Sequence, residues 1–164
     1  MAFVKMVQGD YLNSDAVENL IRYIHRGACM LLEKDRMFES MGCFSDEPDD
    51  VIENMMQTKR IFDAKDGVQC KHIVIAIGKK PNLSKKKLKK RIRRTVGFWK
   101  DRYQLFWGVH HKHPNEEKEN YHIHLAINSV NMKNGNKINI SKKTFRKFKK
   151  AVKRIWEQEQ EAKD

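Results

Sequence analysis

Apolar residues along this chain follow two periods. Val17, Leu20, Ile21, Ile24, Ala28, Leu31 and Leu32 recur at steps of three and four, the spacing of one helix face. Asn13, Ser14 and Asp15 offer capping side chains just ahead of them, so a helix is expected over about residues 15–35. After the turn-rich Met41-Gly42-Cys43-Phe44-Ser45, a second helical pattern runs from about Pro48 to Phe62, with Pro48 suited to a first turn. Leu88, Ile92, Val96 and Trp99 space a third helix from Lys85 to about Lys100, opened by Pro81-Asn82-Leu83-Ser84. Phe145, Phe148, Val152 and Ile155 mark one side of a last helix over about residues 141–160.

Between these lie strand patterns. Ala2 to Gln8 alternates, and Lys71-His72-Ile73-Val74-Ile75-Ala76-Ile77 is β-branched and nearly all apolar, as a central strand covered on both faces would be. Gln104 to His110 and Tyr121 to Ser129 read as two further strands. Asn134-Gly135, between Val130-Asn131-Met132 and Lys137-Ile138-Asn139-Ile140, signals a hairpin, because both turn positions tolerate positive φ. The expected order is β-α-α-β-α-β-β-β-α. It corresponds to an α+β fold: a mostly antiparallel central sheet of about five strands with flanking helices, in a single domain across residues 1–164.

Charge narrows the partner. A formal net charge of +13, from 34 Lys and Arg against 21 acidic residues, points to a polyanion, with nucleic acid the first candidate. Lys85, Lys86, Lys87, Lys89, Lys90, Arg91, Arg93 and Arg94, with Arg146 and Lys150 on the last helix, are candidate phosphate contacts. Trp99, Trp107 and Trp156 could stack on bases, although periodicity makes Trp99 and Trp156 core residues first. No apolar run approaches the roughly 18 residues of a membrane-spanning helix. The first residues also lack the succession of a signal peptide, so a cytoplasmic protein without membrane insertion is expected. Cys29, Cys43 and Cys70 are odd in number and contain no CxxC pair, the usage of free thiols in a reducing compartment.

The sharpest local feature is Tyr121-His122-Ile123-His124-Leu125. Alternation puts His122 and His124 on one face of a strand, where two imidazoles about 6.5 to 7 Å apart can converge on one ion. His110 ends the preceding strand and, in an antiparallel hairpin, brings a third imidazole. Three neutral imidazoles with open positions suit a borderline divalent cation such as Mn²⁺, Co²⁺, Ni²⁺ or Zn²⁺ and imply catalysis. A His-x-His merely facing solvent is the bland alternative; the apolar flank and the third histidine favour a metal. His111 is the alternative third ligand, and His113 is weaker still.

At these residues the sequence resembles the HUH endonucleases. Within them it is similar to the conjugative and mobilisation relaxases found on plasmids and integrative elements of Gram-positive bacteria. Phe106-Trp107-Gly108-Val109-His110, then His122-Ile123-His124-Leu125-Ala126-Ile127-Asn128-Ser129-Val130-Asn131, then Asn134-Gly135-Asn136-Lys137 carry the likeness. More loosely, Leu20-Ile21-Arg22-Tyr23-Ile24 looks like the early helix bearing the family's nucleophilic tyrosine. Family members usually place an acid soon after the first histidine, whereas here His111-Lys112-His113-Pro114 intervenes and the acids wait until Glu116 and Glu117.

The resemblance implies site- and strand-specific nicking of DNA at an origin of transfer in the bacterial cytoplasm. Tyr23 would be the nucleophile and form a 5′-phosphotyrosine, with Tyr11 an alternative. Mn²⁺ or Mg²⁺ would be the working metal, with Zn²⁺, Co²⁺ and Ni²⁺ as alternatives. DNA, single-stranded or locally melted, is the expected partner, together with accessory relaxosome proteins. His72, at the start of the central strand, is a candidate base or support for a ligand. Asn128 and Asn131 could orient a ligand or touch DNA. Most relaxases carry long C-terminal extensions, so the chain is expected to be an excised domain or a short relaxase. The competing expectations are a rolling-circle replication initiator or single-strand transposase of the same superfamily, and a non-catalytic basic DNA-binding module.

Overall fold

The structure is a computed structural model, and it describes residues 2–9, 11–111 and 120–157. Its framework is a five-stranded antiparallel sheet in the order β1-β3-β5-β4-β2. Two long strands hold the middle, β3 (Cys70–Gly78) and β5 (Tyr121–Asn128), with β4 (Leu105–His111) beside β5. The edges are four-residue strands, β1 (Phe3–Met6) and β2 (Phe38–Met41). Short edges leave few unpaired backbone groups open to another chain.

Alternation along the central strands divides the molecule into two apolar layers. Ile73, Ile75, Trp107, Val109, Ile123, Leu125 and Ile127 face one way, toward α3 (Lys85–Val96) and α4 (Lys142–Glu157), which contribute Leu88, Ile92, Val96, Phe148, Val152 and Trp156. Cys70, Phe106 and Ala126 face the other way, toward α1 (Ala16–Cys29) and α2 (Pro48–Ile61), whose Leu20, Ile21, Ile24, Val51 and Met55 are buried there. Helices α3 and α4 run antiparallel: Trp156 donates its indole N–H to Thr95 Oγ1 at 3.1 Å, while Phe148, earlier in α4, packs on Trp99, just past the end of α3.

The α+β fold and the antiparallel sheet agree with the sequence expectation, but several elements differ. The first helix stops at Cys29, followed by a 3₁₀ turn at Glu33–Asp35. Leu32 continues the apolar period yet is 67% exposed, so no packing extends the helix. Its start also lacks a side-chain cap from Asp15; the Ala16 amide bonds to the Asn13 carbonyl instead.

The polar stretch around Met41 contains an unexpected strand. Phe38-Glu39-Ser40-Met41 pairs with β4, and its charged residue faces inward because Arg93 and Lys89 of α3 lie against Glu39. The Asn134-Gly135 hairpin is reduced to a single bridge, Val130 to Lys137. Gly135 does take positive φ, but Asn131 and Asn134 turn their side-chain oxygens to the amides of Lys133 and Asn136. Such local bonds compete with ladder pairing. The last helix is described as far as Glu157, and residues 158–160 of the expected span lie outside the described residues, as do His113, Glu116 and Glu117.

Candidate metal and nucleophile site

Two neighbouring strands bring three imidazoles together. Register sets His110 of β4 directly opposite His122 of β5, and His124 follows two residues along the same face. Candidate ligand atoms of His110, His122 and His124 all lie within 4.8 Å of one another. The His110 and His124 rings lie in contact, tilted by 34° with centroids 4.0 Å apart. His111 lies on the other side of β4, exposed and 6.0 Å from the Tyr121 ring, so strand geometry separates it from the cluster.

Carbonyl partners fix the tautomers of His110 and His122. His110 donates Nε2–H to the Ile24 carbonyl at 2.9 Å, which leaves its lone pair on Nδ1. His122 donates Nδ1–H to the Asn120 carbonyl at 2.9 Å, which leaves its lone pair on Nε2. His124 Nδ1 lies 2.8 Å from His72 Nε2, and its Nε2 is buried with no hydrogen-bond partner. An orphaned imidazole nitrogen inside a cluster of three is the condition a divalent cation would relieve. The donor set therefore fits a metal.

Burial favours the neutral form of His110, His124 and His72, the form in which an imidazole can bind a metal. Desolvation pulls His124 down to about 2 and His72 to about 4, and the neighbouring imidazoles push in the same direction. His110 is also lowered, chiefly by burial, with its bond to Ile24 opposing.

His72 lies against the cluster, bonded to His124. It sits on β3 opposite Ala126, next in the sheet to β5, and reaches past His124 to Tyr11, whose hydroxyl is 3.0 Å from His72 Nδ1. If His124 donates Nδ1–H to His72 Nε2, the proton of His72 is on Nδ1 and is donated to the Tyr11 oxygen. Tyr11 takes a positive φ of 31°, unusual for a tyrosine, and is held by the Gln69 amide on its carbonyl at 2.8 Å.

Tyr23, on the second turn of α1, roofs the cluster. Its ring centroid is 5.3 Å from both His110 and His124 and 6.1 Å from His72, and the residue is 42% exposed. Two glycines allow this approach. A Cβ on Gly27 would stand 2.2 Å from His110 Cε1, and one on Gly108 would stand 2.7 Å from Ile24 Cγ2. Gly27 carried no signal in the sequence, since the clash it avoids is with a residue 83 positions away.

On the same face, beyond the helices, a row crosses the sheet from His122 through Ala76 to Phe3. Phe3 is 64% exposed, an apolar ring at the end of the row that begins at His122.

The basic residues lie elsewhere. Helices α3 and α4 each carry eight cationic side chains, and both pack on the sheet face opposite the histidines. Arg91 is buried with its guanidinium 5.3 Å from the Trp156 ring centre, and Arg93 forks onto Glu39 with Lys89 nearby. Lys85, Lys86, Lys87, Lys90, Arg94, Arg146 and Lys150 are exposed. Trp99, Trp107 and Trp156 are buried in the core. Asn128 is buried and donates to the Met55 carbonyl and Gln104, while Asn131 holds the following turn; both are structural here.

Three comparisons with known proteins bear on the chain. The family model described as "Relaxase: MobA/VirD2-like, nuclease domain" matches residues 23–160. A solved structure described under "Molecular Basis of Vancomycin Resistance Transfer in Staphylococcus aureus" superposes with a TM-score of 0.57 at 12% identity, covering 99% of this chain and 93% of the other. At that identity the likeness concerns the fold. No curated protein matches in sequence.

Proposed function

This chain belongs to the MobA/VirD2-like relaxase nuclease family, and from that premise we propose that it nicks one DNA strand at an origin of transfer by tyrosine transesterification. The observation that carries the proposal is the convergence of three imidazoles, two of them, His110 and His124, beside the ring of Tyr23. His110, His122 and His124 would hold a divalent cation, with Mn²⁺ or Mg²⁺ the working ion. Bound there, the cation supplies positive charge against the oxygens of the scissile phosphate.

The remaining steps fall to the protein's own groups. Tyr23 is the nucleophile: its oxygen bonds to phosphorus as the bond to O3′ breaks, the phenolic proton passes to solvent, and the leaving O3′ takes up a proton. The products are a 5′-phosphotyrosine and a free 3′-hydroxyl, and the ester conserves the bond energy for rejoining. His72, backed by Tyr11, orients His124 rather than meeting the DNA. Phe3, exposed at the end of the row from His122, offers a platform on which a base of the unpaired strand can stack. The setting is the bacterial cytoplasm, with accessory proteins melting the duplex. No described helix is long and apolar enough to cross a membrane.

The test is incubation with Mn²⁺ and a labelled oligonucleotide carrying the element's transfer origin, resolved on a denaturing protein gel. A metal-dependent, protease-sensitive adduct that disappears in Tyr23→Phe supports the proposal. An adduct that persists in that variant moves the nucleophile to another tyrosine, Tyr11 first. No cleavage with any divalent metal would leave a DNA-binding module.

A further inference from the structure

Opposite the histidine cluster, α3, α4 and the β2 edge enclose a groove of about 570 Å³. Its walls carry Lys90, Arg93, Arg94, Lys100 and Arg154, with Ile155 as part of an apolar floor. Arg93 is engaged with Glu39. Lys90, Lys100 and Arg154 are exposed, and among the described residues none of the three has a carboxylate partner. A second hollow of about 220 Å³ shares Lys90 and Arg94 and extends the cationic track along α3 to Lys87.

A solvated helix face usually mixes charge signs, whereas this track has one sign on both walls. Like charges gathered into a concavity repel one another and raise the local concentration of anions.

We propose that this groove binds the phosphate backbone of double-stranded DNA, as a second, metal-independent site on the far side of the sheet from the nicked strand. The inference rests on DNA being the substrate of the histidine face. Two features of the groove select a duplex over a single strand. Among the described residues no aromatic side chain lines it, and single strands are gripped largely by stacking on aromatic rings. Its donors are long cationic side chains, the groups that meet duplex phosphates without reading sequence.

Distance separates the two sites. A helix with its side chains is about 10 Å across, so a phosphate on the outer side of α3 is held more than about 10 Å from the sheet and cannot belong to the nucleotide beside Tyr23. One domain thus holds the cut strand on one face and an adjacent duplex segment on the other.

The experiment is fluorescence anisotropy with the full chain, in EDTA, on a labelled duplex of about 20 base pairs lacking any transfer-origin sequence, from roughly 50 to 200 mM salt. Lys100→Glu with Arg154→Glu is expected to lower affinity at least tenfold. It is also expected to reduce the slope of log affinity against log salt by about 1.8, two contacts at about 0.9 each. Lys100→Gln with Arg154→Gln, gentler on the fold, should give a similar loss of slope with a smaller loss of affinity, both variants melting as the wild type does.

Unchanged slope and affinity in folded variants would overturn the proposal. So would binding to phosphatidylglycerol vesicles with none to duplex. Because binding is read without metal or cleavage, a missing Tyr23 adduct with intact duplex binding sinks only the nickase proposal. The reverse result sinks only this one.

Discussion

Replacing Gly27 by alanine sets helix propensity against the proposed metal site. In an ordinary helix interior the change stabilises by about 1 kcal/mol. Here the new Cβ would stand 2.2 Å from His110 Cε1 and 2.3 Å from its Nε2, where non-bonded carbons need about 3.5 Å. The ring must withdraw by more than about 1 Å. It is not a loose side-chain end, since it is anchored to the Ile24 carbonyl at 2.9 Å and packed against Tyr23 and His124. Withdrawal breaks the anchor, at about 1 to 3 kcal/mol if the donor is left buried and unpaired.

The two terms largely cancel in the stability of the metal-free protein, whose midpoint should move by only a few degrees. Metal affinity has no such compensation, because the displaced ring loses both its place and its fixed tautomer. Losses of 10- to 100-fold accompany the removal of a group that merely orients a ligand, so at least tenfold is expected here. Titration calorimetry with Mn²⁺, beside thermal melts of the metal-free protein, separates the two. Wild-type affinity in a normally folded Gly27→Ala protein would refute both the assignment of His110 as a ligand and the role given to its anchor.

Three further outcomes are expected. His72→Ala should weaken Mn²⁺ binding by about 10- to 100-fold, while His72→Gln, whose side-chain oxygen can still accept from His124, should recover most of the loss; equal losses in calorimetry would mean that His72 acts by packing alone. Phe3→Ala should cost about 1 to 3 kcal/mol of single-strand affinity in an anisotropy titration, with duplex binding retained, and no change would remove Phe3 from the DNA path. Lys59 is fully buried, bonded to the Gln69 carbonyl and to Ser129 Oγ, and desolvation depresses it from 10.5 to about 8. The unfolded chain therefore binds the extra proton between those values, and stability from this group rises with pH from about 8 to 10.5, by roughly 3 kcal/mol. Urea melts of wild type against Lys59→Met across that range should diverge accordingly; parallel curves would show that the lysine titrates normally.

The elements legible in the sequence are those whose pattern is local. Ile73, Ile75 and Ile77, the His-x-His alternation, and the Leu88-Ile92-Val96 spacing all state a period within one segment, and each became the expected strand or helix. Strand β2 was hidden because its inward residue is Glu39, whose burial depends on Arg93 some 54 positions later. Tyr11 and His72 are 61 residues apart, and His72 and His124 are 52 apart, so no local pattern records their chain of hydrogen bonds. The opposition of the basic helices and the histidines was equally hidden. Composition registers charge, but only the alternation of β3, β4 and β5 assigns it to a face.

Strand β5 presents His122 and His124 to one side and Ile123 and Leu125 to the other. Moving its register by one residue would carry both imidazoles into the apolar layer beneath α3 and leave two aliphatic side chains under Tyr23. Site and fold therefore share one alignment, and a molecule cannot assemble the cluster while misthreaded. A metal-sensitive spectroscopic signal from Co²⁺ at the three histidines would for that reason also count correctly aligned chains. Single-residue insertions or deletions within residues 121–128 should abolish that signal and cooperative unfolding together.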